Sequence, residues 1–281
     1  MRILNSLAAA VALSLAGASA FAAVPTVPAP QPVSGPIPDA STGNSGIIVS
    51  VWDSVRNVSL VQYLGLRLDQ FLSGDTNATP EAGLTLNFGT LSGWSSVFGS
   101  SDSANLQYMV SAFDNTVDTG NTLVGKRLLT TLDSTPSLLR NSSLSGSLTN
   151  AASFMSGGLG GVDCLGANPC VALSSTEGDY ADGPNFGANF GGQLTVANAA
   201  TGVGNALGFY LISATTNTSS GATTVQQYQN SANLAQWLLS SQGVLTYSLD
   251  AAATVVPLPA AVWLLLSGLA GVGAVGRRRV A

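Results

Sequence analysis

Residues 47–53 (Ile-Ile-Val-Ser-Val-Trp-Asp) are apolar and β-branched, residues 54–57 are turn-competent, and residues 58–63 run back in a similar pattern. Two such runs around a short polar connection predict a β-hairpin. Residues 66–72 alternate well enough for a third strand, and their spacing also permits one or two helical turns. Residues 84–88 and 106–113 read as strands, with turn clusters at 74–83 and 89–103. Residues 122–132 predict a strand with a bulge at Gly125. Between 136 and 155 apolar residues recur at Leu138, Leu139, Leu144, Leu148 and Phe154, broken by Gly146, and helix and loop both fit. A long Gly- and Asp-rich loop follows over 157–192. Strand pattern returns at 193–196, 206–213 and 223–228, a short helix is expected over 233–239, and a last strand over 243–250.

Many short strands separated by Gly-rich turns predict a mainly β fold. The expectation is an antiparallel β-sandwich or jelly roll with one or two short helices. Trp52, Tyr63, Phe71, Phe88, Tyr108, Phe113, Phe209 and Tyr247 each sit inside an apolar strand, which suits core layers better than a sugar-stacking platform. Trp94 and Trp237 are the aromatic residues a carbohydrate-binding module would use.

The flanks differ from this pattern. Residues 1–22 have the parts of a secretory signal peptide: Arg2, an apolar core over 7–18, and Ala20-Phe21-Ala22 as an A-x-A site, with cleavage expected between Ala22 and Ala23. Residues 23–45 are rich in Pro, Ser and Gly and predict an extended linker. The β-rich ectodomain is expected over 46–250, and residues 251–281 form a separate tail.

That tail has three parts in order. Val256-Pro257-Leu258-Pro259-Ala260 is followed by an uncharged segment to Gly276, then by Arg277, Arg278 and Arg279. The prolines hold the preceding chain extended, because each ring fixes its own φ and moves its predecessor out of the α region. The uncharged segment, as a helix rising ~1.5 Å per residue, reaches about 25 Å, short of the ~30 Å hydrocarbon core. Terminal arginines act as a membrane stop on the cytoplasmic side. Motif, helix and arginines together resemble the C-terminal sorting signal of exosortase substrates, the VPLPA variant of the PEP-CTERM class, with Leu258 where the usual motif has Glu. The resemblance covers about a tenth of the chain. It implies export by signal peptidase and the general secretion machinery, transient anchoring by the transmembrane helix, and processing at or beside Val256–Pro259 by an exosortase-type membrane protease. It further implies delivery to the cell surface or an exopolysaccharide-rich biofilm matrix, with exopolysaccharide as a candidate partner. The alternative for the tail is a plain C-terminal anchor.

Charge narrows the chemistry. Between residues 23 and 256 only Arg56, Arg67, Lys126, Arg127 and Arg140 are positive, against all fourteen carboxylates. Such a balance argues against nucleic acid, whose binding requires a positive surface. Charged residues are only 8% of the chain, so its surface must be Ser, Thr, Asn, Gln and Gly. With no histidine, Ser-His-Asp and Cys-His catalysis are excluded. Paired carboxylates remain possible for a glycan hydrolase, but no such pair lies on a strand end, and the chain reads as a non-enzyme without a cofactor. Cys164 and Cys170, close together in an exported chain, predict a disulfide. Glu177, Asp179 and Asp182 form the one acidic cluster. A solvated loop is the favoured reading, and calcium is the alternative, since oxygen ligands beside glycines suit that ion.

Overall fold

The computed structural model describes residues 26–28, 37–38, 40–71, 84–136, 139–159, 167–183, 186–187, 190, 199–229 and 234–249. Its strands are β1 (Thr26–Pro28), β2 (Gly46–Asp53), β3 (Val58–Arg67), β4 (Leu84–Thr90), β5 (Leu106–Asp114) and β6 (Arg127–Leu132). They continue as β7 (Cys170–Ala172), β8 (Thr201–Gly202), β9 (Ala206–Ser213), β10 (Thr224–Gln227), β11 (Gln236–Leu239) and β12 (Val244–Leu249). All belong to one sheet, ordered β1-β4-β12-β11-β9-β6-β5-β2-β3-β7, with β8 beside β5 and β10 beside β9. Pairing is antiparallel except between β1 and β4. The sheet curls into a half-barrel. The mainly β antiparallel expectation holds, while one curled sheet replaces the expected pair of stacked sheets.

The reason lies in how each face is covered. Along β2, Ile47, Val49 and Val51 enter the inner core, whereas Ile48 and Trp52 enter a second core on the outer face. β5 does the same with Tyr108, Val110 and Ala112 inside and Met109 and Phe113 outside. Strands buried on both faces read as continuous apolar runs, as 47–52 does. The outer core is closed by helix α3 (Asn141–Ser153), after the short helices α1 (Leu68–Phe71) and α2 (Trp94–Phe98). Leu144, Leu148 and Ala151 of α3, at i, i+4 and i+7, face the sheet. Its last turn widens to π-helical spacing over Phe154–Leu159, where Phe154 stacks on Phe186 with centroids 4.1 Å apart. A helix and its loop thus cover the face that a second sheet covers in a sandwich.

Local differences have local causes. The hairpin turn at 54–57 forms, with Asn57 at φ 55° and Asp53 Oδ1 accepting from the Val55 and Arg56 N–H groups. β3 runs on to Arg67 and Leu68–Phe71 then turns helically, the alternative to a third strand that the spacing also permitted. The region 122–126 is a turn, with Gly125 at φ 100°, and β6 begins only at Arg127. The expected helix over 233–239 is replaced by β11: Gln236 and Leu238 are exposed and Trp237 and Leu239 buried, a period of two. Within the stretch expected as a linker, Thr26–Pro28 is an edge strand, where proline is tolerated. Ala40 is already part of the outer core. The strand expected at 193–196 lies outside the described residues, as do both terminal segments.

Candidate functional site

Of the residues singled out in the sequence, Ala22, Ala23, Cys164, Val256 to Ala260 and Arg277 to Arg279 lie outside the described residues. Cys170, Glu177, Asp179 and Asp182 lie within them. Cys170 opens β7, which pairs with Ser59–Val61 of β3, and it is disulfide-bonded. Its Sγ lies 3.0 Å from Oδ2 of the buried Asp179. Glu177 lies partly exposed and accepts from the Leu173 N–H at 3.3 Å. Asp182 is exposed. Burial still moves its carboxyl above the usual range. Among the described residues no three His, Cys, Asp or Glu side chains gather in a group able to hold a metal ion. The cluster is spread along a loop that packs on β3, where Ala181 N–H donates to Ser59 Oγ at 2.9 Å.

The same loop closes the β3 edge. Asn168 places its carboxamide against Tyr63, accepting from the Tyr63 N–H at 2.9 Å and donating to its C=O at 3.3 Å. The side chain thereby stands where a partner strand would, and it covers an edge that would otherwise recruit another chain. Tyr180 follows, its phenol pushed up to about 12 by burial, then by the charges of Asp182 and Asp53.

A polar cluster that the sequence reading did not single out sits where β5 hands over to β6. Asp114 is buried, and its Oδ2 accepts from Arg127 Nε at 2.9 Å and Nη2 at 2.6 Å. Lys126, the chain's single lysine, donates from Nζ to Asn115 Oδ1 at 2.7 Å and to Ser145 Oγ on α3 at 3.1 Å. Burial moves its ammonium below the usual lysine range, opposed by the charge of Asp114. The signal available in advance was slight: Asp-Asn directly after an apolar run, and Lys-Arg directly before one. The geometry ties α3 to the sheet.

Among the described residues, the surface that remains open is the outer face of β4, β12, β11 and the start of β9. Register places Thr85, Ser248, Gln236 and Gly208 in one row and Asn87, Thr246, Leu238 and Ala206 in the next. These residues are exposed or half-exposed. Their neighbours Leu86, Tyr247, Trp237 and Leu207 point the other way, into the inner core. The two rows hold no charge. Hydroxyl and amide groups that both donate and accept stand on strands ~4.8 Å apart. Trp94 and Trp237, by contrast, are buried and offer no stacking platform. Trp237 packs among Phe88, Phe209 and Tyr247.

No family model, curated protein or solved structure matches this chain.

Proposed function

We propose that this is an exported, non-enzymatic structural or interaction protein of the cell surface or exopolysaccharide matrix, sorted by its C-terminal segment. The observation that carries the reading is the order of Val256-Pro257-Leu258-Pro259, an uncharged helix-length segment and three terminal arginines. The arginines resist crossing the membrane, at about 2.5–3.5 kcal/mol each at the bilayer centre. The short helix then places the prolines at the outer interface, in an extended form that suits a protease groove. A plain anchor requires the charges and the apolar length but not the prolines.

The ectodomain supports a non-catalytic role. Asp53 holds a turn, Asp102 caps a 3-10 turn through the Ala104 N–H, Asp114 pairs with Arg127, and Glu177 braces its own loop. Each of these carboxylates is committed to local structure. The uncharged rows on β4, β12 and β11 suit contact with a neutral, hydroxyl-rich matrix. They also favour a second reading, a carbohydrate-binding module that recognises glycan by hydrogen bonding instead of aromatic stacking; retention on neutral glycan arrays separates the two.

Mass spectrometry of protein from cells that contain the exosortase is expected to find a mature C-terminus near Val256, lacking Trp263 and the arginines. Changing Pro257 and Pro259 together to alanine should leave export intact and trap full-length protein in the membrane. Wild-type protein that keeps its tail in those cells, or a double variant trimmed normally, refutes the sorting reading in favour of a plain anchor.

A further inference from the structure

Lys126 is buried, and a buried ammonium is ordinarily held by a carboxylate. Its hydrogen-bond partners are instead both neutral: Asn115 Oδ1 at 2.7 Å and Ser145 Oγ at 3.1 Å. The carboxylate nearby is already engaged. Asp114 gives Oδ2 to Arg127 and Oδ1 to the Thr116 N–H, and the one ion pair among the described residues is Arg127 with Asp114. Burial accordingly moves the Lys126 ammonium below the usual lysine range, although the Asp114 charge opposes the shift. A lysine so lowered holds more of its free amine, which is the nucleophilic form.

The register brings this amine to a carboxamide. Asp114 pairs with Arg127 across β5 and β6, so Asn115 and Lys126 face each other one step further along. Both lie on the outer face, in phase with Phe113 and Leu128 of the outer core. Their backbones are held: Asn115 N–H donates to Ala40 C=O and Ala214 N–H to Lys126 C=O, each at 3.1 Å. The 2.7 Å contact to Oδ1 places Cγ, one carbonyl bond of ~1.23 Å beyond, at most about 3.9 Å from Nζ. Rotation about the Cε–Nζ bond turns the nitrogen lone pair toward that carbon without moving either strand.

We propose that Lys126 and Asn115 join in an intramolecular isopeptide bond at the base of the β5–β6 hairpin. Nζ adds to Cγ, the Cγ–Nδ2 bond breaks, and a secondary amide forms between the two side chains. Ammonium and carboxamide become an amide and an ammonium ion, so the charge leaves with the released ammonia. Nothing is oxidised or reduced and no co-reactant is consumed. The Ser145 hydroxyl, which already contacts Nζ, is the group placed to carry the proton from the attacking nitrogen toward the departing one. Side chains held in contact react as though at very high concentration, up to ~10⁵–10⁸ M for well-oriented pairs, and each chain requires a single turnover. The product removes a buried charge held only by neutral groups, and it takes Lys126 out of titration. The bond closes the turn over 115–126 covalently and does not depend on the sorting reading.

The test uses the full-length chain in detergent micelles, kept for a day after purification, then denatured and cut by a protease that cleaves before aspartate. Asp118 lies between the two side chains in sequence, so peptides 114–117 and 118–132 should remain joined as one branched species. Its mass should equal theirs together less one ammonia. Because Lys126 is the single lysine, an amine-acylating reagent should find no lysine to label in the denatured chain. Asn115→Ala and Lys126→Arg should each restore separate peptides. Separate wild-type peptides with a labelled Lys126 overturn the proposal. Ammonia missing from 114–117 alone marks a succinimide at Asn115 and overturns it too. The deciding mass is read on denatured wild-type chain, so neither the folding of a variant nor the fate of the tail affects it, and failure here is distinct from failure of the sorting reading.

Discussion

Replacing Trp237 by alanine decides between a core and a ligand platform on the uncovered half of the sheet. Trp237 is fully buried on β11 and contacts three aromatic rings, with centroids 5.6 Å from Phe88, 5.5 Å from Phe209 and 5.1 Å from Tyr247. Truncating a buried tryptophan removes its transfer free energy and leaves a cavity, together about 3–5 kcal/mol. The ring contacts contribute beyond their area, by ~0.5–1.5 kcal/mol per pair, which places the expected loss in the upper part of that range. For a domain of this size each kcal/mol lowers Tm by roughly 2–4 °C, so a fall of about 8–20 °C is expected in a thermal melt followed by near-UV circular dichroism. A surface tryptophan serving a sugar site would behave oppositely, with Tm nearly unchanged and glycan retention lost. A Tm shift below about 2 °C refutes the core assignment and the packing argument behind it.

Three further outcomes follow from particular contacts. Gly243 has φ 80°, and a Cβ there would lie 2.3 Å from Trp94 Cδ2, so Gly243→Ala should cost about 1–3 kcal/mol, seen as a lower urea midpoint. Arg127→Ala leaves the buried Asp114 carboxylate without its guanidinium and should cost about 3–5 kcal/mol; a loss below ~1 kcal/mol in urea titration would show that Lys126 and Thr116 suffice. Burial raises the phenols of Tyr108, Tyr180, Tyr228 and Tyr247, so the folded state keeps protons that the unfolded chain releases near pH 10. Stability from these groups is full below that pH and falls as pH rises above it, whereas the lowered Lys126 has the opposite sign and is one group against four. Unfolding midpoints should therefore drop above pH 10 with tyrosinate absorbance appearing cooperatively, and tyrosinate forming while the protein stays folded would contradict this.

Legibility followed coverage. β2, β5 and β9 were readable because strands buried on both faces, or regularly on one, leave long apolar runs at 47–52, 106–113 and 206–213. Trp237 misled because Leu234, Trp237 and Leu238 mimic a helical stripe, although Leu234 and Leu238 are exposed. Only the register against β9 and β12 shows that period two applies. Helix α3 was ambiguous for a physical reason: its sequence is Ser-, Asn- and Gly-rich, poor in helix propensity, and its start is fixed from outside. There Asn141 Nδ2 donates to Thr216 C=O at 3.0 Å and to Thr218 C=O at 3.1 Å, contacts no local pattern announces. The acidic cluster was legible as residues but not as an arrangement, since Asp179 turns inward to Cys170 while Glu177 stays at the surface. The open rows were invisible because they are made by which strands become neighbours, not by any one strand's composition.

The two halves of the sheet divide the work unequally, and β12 joins their consequences. The half built on β2, β3, β5 and β6 is covered on both faces, with α3 bound to it through Leu144, Leu148 and the Lys126–Ser145 hydrogen bond. Among the described residues, the half built on β4, β12 and β11 is covered only inside, and its outer rows are uncharged. β12 supplies Thr246 and Ser248 to those rows and is also the last described strand before Val256-Pro257-Leu258-Pro259 in the sequence. On the proposed sorting reading, the seven residues 250–256 span at most about 25 Å at ~3.3–3.6 Å per residue, so the uncharged face would stay near the membrane until the tail is processed.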